Sequence, residues 1–218
     1  VWDINLAEQA EYWKNVFCTY SDNNLMIRLP ETLFRNMQYH DVPLTFDGWM
    51  TTLIIAAEKC DRQERMFLFP VSGIAPEKFT YLLSIFDSIV ADSTVLCRIG
   101  VEISDPQTAL LSEEYAEAVD FIVFQTEELT KAMYQMASGD ARSAVCEYMR
   151  DGIFEQSPFC SFDSVGLGTL LLLAMCRASA AKPGITFGVE GKPIEEPQGR
   201  KFCSETGIKW MLMEAQVA

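Results

Sequence analysis

Short, mostly apolar runs alternate along the chain with longer segments whose apolar residues recur at helical spacing. Short continuous apolar runs are typical of strands that are buried on both faces of a parallel sheet. The alternation of such runs with helical segments predicts an α/β fold. The sequence predicts six strands, at residues 25–29, 66–71, 95–103, 121–125, 185–190 and 208–213.

Helical spacing of apolar residues predicts helices between these strands. Ser21 to Asn24 has turn chemistry, and Pro76 fits the first turn of a helix. Such repeated units form (β/α) barrels of the TIM type, which usually take about 250 residues. We therefore expect a single domain over residues 1–218 that is one or two units short of a closed barrel. The predicted helices are 6–19, 46–58, 76–90, 107–118, 127–136, 141–151, 163–181 and 197–206.

Charge and hydropathy narrow the classes of partner. The net charge is −14 and no cluster of Lys and Arg offsets it, so we expect no nucleic-acid partner. The longest apolar runs, such as 170–176, are well short of the ~20 residues that a membrane span needs. The N-terminus lacks a basic start and an apolar segment, which argues against a signal peptide.

Seven cysteines are scattered without a CxxC pair, which favours reduced thiols in the cytoplasm, most of them buried. His40 is the only histidine, and this excludes a His-rich metal site. A Ser-His-Asp triad built on His40 has no supporting nucleophile motif.

Four segments have distinctive sequences, and they are 99–110, 116–131, 151–170 and 185–210. In their order and spacing they resemble the C-terminal phosphoenolpyruvate/pyruvate domain of the pyruvate, phosphate dikinase family. Upstream, Ile27-Arg28-Leu29 and Phe67 to Gly73 match more weakly. The resemblance implies a TIM-type barrel of the phosphoenolpyruvate/pyruvate superfamily that is incomplete or truncated at its N-terminus, with the first strand before Val1.

The resemblance also implies where substrate is bound. Arg28 matches an arginine that contacts the substrate phosphate, and Thr126 is kept from a Gly-Thr-Asn-Asp set. The position of the proton-shuttling cysteine is Glu190, so no catalytic residue is assigned. The substrate-binding candidates are Arg28, Thr126 and Glu190.

The positions that bind metal in the family carry different residues in this chain. The family's metal-binding glutamate falls on Ser104, and its Asn-Asp pair falls on Glu127 and Glu128. Glu128 and Glu127 are therefore the candidate ligands for Mg2+. Each residue also has a structural interpretation: acidic side chains stabilise a helix start, Arg28 could pair with a carboxylate, and Glu190 could pair with Lys192.

Phosphoenolpyruvate chemistry needs a cation on the enolate, positive charge on the phosphate and a proton donor. Since these are altered together, the first hypothesis is a degenerate dikinase-like domain, a pseudoenzyme that binds or scaffolds. The alternative is a metal-dependent phosphotransferase or C–C lyase for phosphoenolpyruvate, pyruvate or another 2-oxo acid. In this alternative, five carboxylates could come together at the C-terminal ends of the strands and form a Mg2+ site, those of Glu102, Asp105, Glu127, Glu128 and Glu190.

The expected ligand is a small anion of the phosphoenolpyruvate, pyruvate or oxalate type. A third hypothesis concerns association. An incomplete barrel leaves unpaired strand edges, so we expect a homo-oligomer or a contact with neighbouring domains of a longer chain.

Overall fold

The computed structural model describes residues 6–19, 25–31, 42–59, 64–134 and 141–212. The predicted turn at 21–24 and His40 lie outside these ranges. Six strands form one sheet in the order β1 to β6, which follows the chain. Three neighbouring pairs, β1–β2, β4–β5 and β5–β6, are parallel. The strands are β1 Leu25–Arg28, β2 Arg65–Pro70, β3 Cys97–Ile103, β4 Phe121–Gln125, β5 Thr186–Glu190 and β6 Trp210–Leu212.

Helices occupy the segments between the strands, which confirms the α/β prediction. The strand order and the parallel pairs are compatible with part of a TIM-type barrel. A closed barrel is not observed among the residues described. The helices are α1 Leu6–Thr19, α2 Val42–Glu58, α3 Pro76–Val90, α4 Pro106–Leu110, α5 Ser112–Ala116, α6 Thr126–Met133, α7 Ala141–Arg150, α8 Leu167–Ala181, α9 Lys192–Glu195 and α10 Pro197–Thr206.

The chain divides into two compact units, and the first comprises Val1–Pro70 with Ile74–Gly100. Aromatic rings fill its core: Phe69 meets Phe79 and Phe86 edge to face, with ring centroids 5.8 and 5.9 Å apart. The Arg65 guanidinium lies 5.1 Å from the centroid of the Phe17 ring, and both side chains are buried. A cation over an aromatic face is attracted by the ring quadrupole, which stabilises this arrangement.

The second unit comprises Val71–Gly73 with Val101–Ala218. Strand β4 is its most buried strand, since residues 121–124 are inaccessible to solvent. Phe121 packs against Trp210 on β6 with centroids 5.3 Å apart. Between them on β5, Gly188 leaves little space for a side chain, because an added Cβ would lie 3.1 Å from the Trp210 ring. The glycine therefore lets the indole pack directly on the sheet.

The predicted helices 107–118 and 163–181 differ from those observed. The segment 107–118 is two short helices, because the backbone leaves helical geometry at Leu111 (φ −98°, ψ 17°). The next residue, Ser112, is buried and donates its hydroxyl to the Ala174 carbonyl at 2.8 Å. The helix predicted from residue 163 begins at Leu167, since the Asp163 carboxylate accepts the backbone N–H groups of residues 165, 166 and 167.

The prediction that most cysteines are buried is wrong for those described. Cys203 is buried and Cys97 half-buried, while Cys18, Cys146, Cys160 and Cys176 are exposed. The exposed cysteines on helices occupy positions that face solvent rather than the core. Among the described helices, none is long and apolar enough to cross a membrane.

Candidate functional site

The carboxyl ends of β4 and β5 bring two predicted site positions together. The strands are parallel, and Gln125 is aligned with Glu190 at the end of each. The Gln125 side-chain amide donates to the Glu190 carboxylate, with 3.1 Å between Nε2 and Oε2. Both side chains are half-buried. The edge of the sheet where α/β proteins usually bind ligands therefore carries an amide–carboxylate pair.

Thr126 fixes the backbone beside this pair. Its side chain is fully buried, and its hydroxyl donates to the Glu190 carbonyl at 2.7 Å. The Thr126 carbonyl in turn accepts a 2.7 Å hydrogen bond from the Thr130 hydroxyl. Because the single hydroxyl proton of Thr126 is committed to a backbone carbonyl, this residue holds the site together and can only accept a hydrogen bond from a ligand.

Gly191 and Glu127 form further contacts between the segments that follow β4 and β5. Gly191 has φ +122°, and a Cβ added there would lie 2.4 Å from Thr126 Oγ1. Only glycine is compatible with both the torsion and the contact. One residue further, the Lys192 N–H donates to the Glu127 carboxylate over 3.1 Å. Glu127 therefore accepts a hydrogen bond from the first residue of α9.

Glu128 points away from these contacts. Its side chain is 53% exposed and forms a 2.6 Å ion pair with Lys131, one turn further along α6. Glu127 and Glu128 both lie in the first turn of α6, as predicted for acidic residues that stabilise a helix start.

The position expected to hold a metal-binding glutamate carries a hydroxyl pair. Ser104 follows β3, and its Oγ lies 2.5 Å from the Oγ of Ser72, which follows β2. The Ser104 N–H also donates to Ser72 Oγ over 3.1 Å. Next in the chain, both carboxylate oxygens of Asp105 accept hydrogen bonds from Thr108, at 2.8 and 2.6 Å. Asp105 is therefore the N-cap of α4.

Four of the candidate carboxylates, those of Asp105, Glu127, Glu128 and Glu190, are engaged in contacts within the protein. Mg2+ requires near-octahedral oxygen ligands, usually with one or two carboxylates free to reach it. Within the described ranges, no group of three or more His, Cys, Asp or Glu side chains could hold a metal ion, so the five carboxylates do not converge. Glu102 is buried on β3. Mg2+ binding stays a prediction of the sequence.

Arg28 lies in the first compact unit. It is the last residue of β1, is exposed, and is aligned with Leu68 of β2. Its role at a phosphate stays a prediction.

Known proteins that are similar to this chain in sequence include pyruvate, phosphate dikinases from bacteria and plants. The chain is 34% identical over 113 residues to pyruvate, phosphate dikinase of Rhizobium meliloti (strain 1021), which covers 52% of this chain. It is 30% identical over 121 residues to pyruvate, phosphate dikinase 2 of Oryza sativa subsp. japonica, and 26% identical over 150 residues to the chloroplastic enzyme of Flaveria trinervia. About half of this chain is similar in sequence to pyruvate, phosphate dikinase. No sequence profile of a protein family matches the chain.

The similarity to pyruvate, phosphate dikinase is confined to a small part of that enzyme. The match spans 13% of the Rhizobium protein, 14% of the rice protein and 16% of the Flaveria protein. The shared stretch is consistent with a divergent dikinase-like domain.

Two contacts of the second unit were missed from the sequence. Ser72 directly follows the predicted strand 66–71, and a serine in that place marks a candidate site position. The other contact joins Tyr134, after α6, to Asp163, before α8, with 3.0 Å between the hydroxyl and Oδ2. Burial and then the hydrogen bond to Asp163 raise the pKa of Tyr134 to about 12.

Asp163 shows the opposite shift. Burial would raise the pKa of its carboxyl, but hydrogen bonds from the Gly166 N–H, the Tyr134 hydroxyl and the N–H groups of Leu167 and Val165 outweigh burial and lower it. The signal in the sequence was an aspartate a few residues before an apolar helix, which is typical of an N-terminal cap.

Proposed function

We propose that this chain is a degenerate dikinase-like domain that binds a small carboxylate such as phosphoenolpyruvate, pyruvate or oxalate and does not carry out the dikinase reaction. One observation carries the proposal. At the matched carboxyl ends of β4 and β5, Glu190 stands where the resemblance expects a proton-shuttling cysteine, and Gln125 holds its carboxylate. A chain that is similar in part to a phosphoenolpyruvate enzyme thus carries different chemical groups at these strand ends.

The altered side chains at the metal and proton-donor positions are the reason we expect this chain to bind the ligand without converting it. The dikinase-type reaction needs a cation on the enolate and a proton donor over its carbon. Glu127 accepts from the Lys192 N–H, and Glu128 pairs with Lys131. The carboxylates of both candidate metal ligands are therefore engaged in contacts within the protein. The ligand in this proposal lies at the strand ends next to Glu190, where Thr126 holds the backbone in place. Arg28 of the first unit stays a separate candidate for contact with phosphate.

Backbone amide NMR of the labelled chain tests the proposal. Titration with pyruvate, and separately with oxalate, is expected to shift the amide signals of residues 125–127 and 190–192 in a saturable way. The exposed residues 201, 204 and 205 of α10 provide internal reference signals that stay in place. Absence of saturable shifts at these residues would contradict the proposed site.

The alternative is a metal-dependent enzyme acting on phosphoenolpyruvate, pyruvate or another 2-oxo acid. The proximity of Glu127 to the backbone that follows Glu190 favours it, since two carboxylates follow neighbouring strands. Calorimetric titration with Mg2+ or Mn2+ plus oxalate tests this alternative. Metal binding in the millimolar range or tighter that Glu128→Gln abolishes would support it, and equal behaviour of parent and variant would end it.

The proposal extends to the cellular compartment. The exposed thiols of Cys146 and Cys160 favour a reducing compartment such as the cytoplasm.

A scaffolding role also requires a binding partner. Helix α8 offers a surface for one, because Leu172 and Leu173 are each 43% exposed while Leu171 is buried. A sedimentation profile of a single monomeric species would count against self-association.

A further inference from the structure

The two serines that follow β2 and β3 form a hydroxyl pair within the second unit. Ser72 and Ser104 are both half-buried, and their Oγ atoms lie 2.5 Å apart. Ser72 Oγ accepts a second hydrogen bond, from the Ser104 N–H. The pair is therefore held in place by two contacts between segments that lie 32 residues apart in sequence.

Counting donors shows that one proton of this pair is available. Two hydroxyls carry two protons, and one of them lies between the oxygens. If Ser104 donates to Ser72, the lone pairs of Ser72 are filled by the Ser104 hydroxyl and N–H, so the Ser72 proton points elsewhere. If Ser72 donates, the Ser104 proton points elsewhere. Among the described residues, no acceptor for that second proton is found in either case.

The neighbouring carboxylate does not provide that acceptor. Both oxygens of Asp105 are bonded to Thr108. A neutral hydroxyl is a weak substitute for a carboxylate on Mg2+, which prefers charged oxygen ligands and water. The same hydroxyl is a strong donor to a carboxylate oxygen, since O–H···O⁻ hydrogen bonds are short and about twice as strong as neutral ones.

We propose that the Ser72–Ser104 pair donates a hydrogen bond directly to an oxygen of the bound carboxylate, so that the ligand is held without a divalent cation. This inference rests on the proposed function and adds to it the way in which the ligand is bound. The ligand class is a small mono- or dicarboxylate, and oxalate is its simplest probe.

The test is calorimetric titration of the chain with oxalate in EDTA and again in millimolar Mg2+. The dissociation constants in the two buffers are expected to agree within about twofold. Ser72→Ala and Ser104→Ala are each expected to weaken oxalate by about tenfold or more, the usual loss for a hydrogen bond to a charged group. Ser104→Thr, which keeps the hydroxyl, is expected to retain most of the affinity.

Ser204→Ala is the matched control. Its hydroxyl lies on the exposed face of α10 and donates to the Lys201 carbonyl, so its removal leaves oxalate binding unchanged. Binding that requires Mg2+ would overturn the inference and leave the proposed function intact. Metal-free binding that both alanine variants retain would also overturn it. No binding in either buffer would overturn the proposed function and this inference together. The EDTA comparison uses the parent chain and so does not depend on the folding of any variant.

Discussion

The hydroxyl of Thr126 donates to the backbone carbonyl of Glu190 over 2.7 Å and joins the ends of two neighbouring strands. Thr126 is fully buried, so its side of this hydrogen bond is shielded from water. Thr126→Val keeps the shape and removes the donor. Removing the donor of a buried hydrogen bond costs about 1–3 kcal/mol, and we expect urea unfolding to show a loss of this size.

Thr126→Ser is the control for this substitution. It keeps the hydroxyl and loses one methyl group, so it should be the more stable of the two variants. If the valine variant were as stable as the parent, the hydrogen bond would not be what holds the two strand ends.

A second prediction concerns Gly191, which contacts the same hydroxyl. Gly191→Ala places a Cβ 2.4 Å from Thr126 Oγ1 at φ +122°. We expect a loss of about 1–3 kcal/mol in unfolding free energy, since a residue with a side chain is strained at this torsion even without the clash. In Thr126→Ala/Gly191→Ala the clash is removed but the torsional strain remains.

The double variant should therefore lose less stability than the sum of the two single variants. Additive losses would show that the contact between residues 126 and 191 does not limit the backbone.

The fold was predicted well where one local pattern decided it. Strand β4 is apolar at 121–124 and was placed with its observed bounds, and α1 and α3 were also correct, the latter with Pro76 at its start. The start of α2 was placed at residue 46, after Pro43, whereas the helix begins at Val42 and includes the proline in its first turn. The break at Leu111 was not predicted, because no glycine or proline marks it within residues 107–118. The adjacent Ser112 hydroxyl bonds to a carbonyl 62 residues away.

At the candidate site, too, local patterns were predictable and distant contacts were not. That Gln125 and Glu190 end neighbouring strands was predictable from the strand pattern, because parallel strands end at one edge. The partner of each carboxylate was not predictable, since Glu127 bonds to a backbone N–H 65 residues away. The Ser72–Ser104 pair likewise depends on packing rather than on a local motif.

A third prediction concerns the contact between Tyr134 and Asp163. Tyr134→Phe should lower the unfolding free energy by about 1 kcal/mol at pH 8, because one hydrogen bond to a half-buried carboxylate is lost. The pKa of Tyr134 is raised to about 12 in the folded chain, so its contribution is complete below the unfolded value of about 10 and is lost as pH rises toward 12. The difference between parent and variant should therefore narrow from pH 10 upward.

Urea unfolding of both proteins at pH 8, 10 and 11 measures this difference. Alkaline absorbance titration should in addition show one tyrosine that ionises late in the parent and is absent from the variant. A constant difference across this pH range would contradict the assignment.

A fourth prediction concerns thiol reactivity. Burial raises the pKa of Cys97 to about 11, whereas Cys146 and Cys160 are exposed. Because the thiolate is the nucleophile, iodoacetamide at pH 8 should alkylate Cys97 at least about tenfold more slowly than the two exposed cysteines. Peptide mass spectrometry over a time course gives the three rates. Equal rates would show that Cys97 is not shielded in solution.

The central claim, binding without turnover, is tested most directly by proton NMR of pyruvate in D2O with the chain and Mg2+. Saturation transfer from the protein to the pyruvate methyl group reports binding, and the decay of the methyl signal reports enolisation, because each enolisation exchanges a proton for deuterium. We predict saturation transfer that oxalate competes away, together with methyl decay at the rate seen without protein. Methyl exchange that the chain accelerates in the presence of Mg2+ would contradict the account.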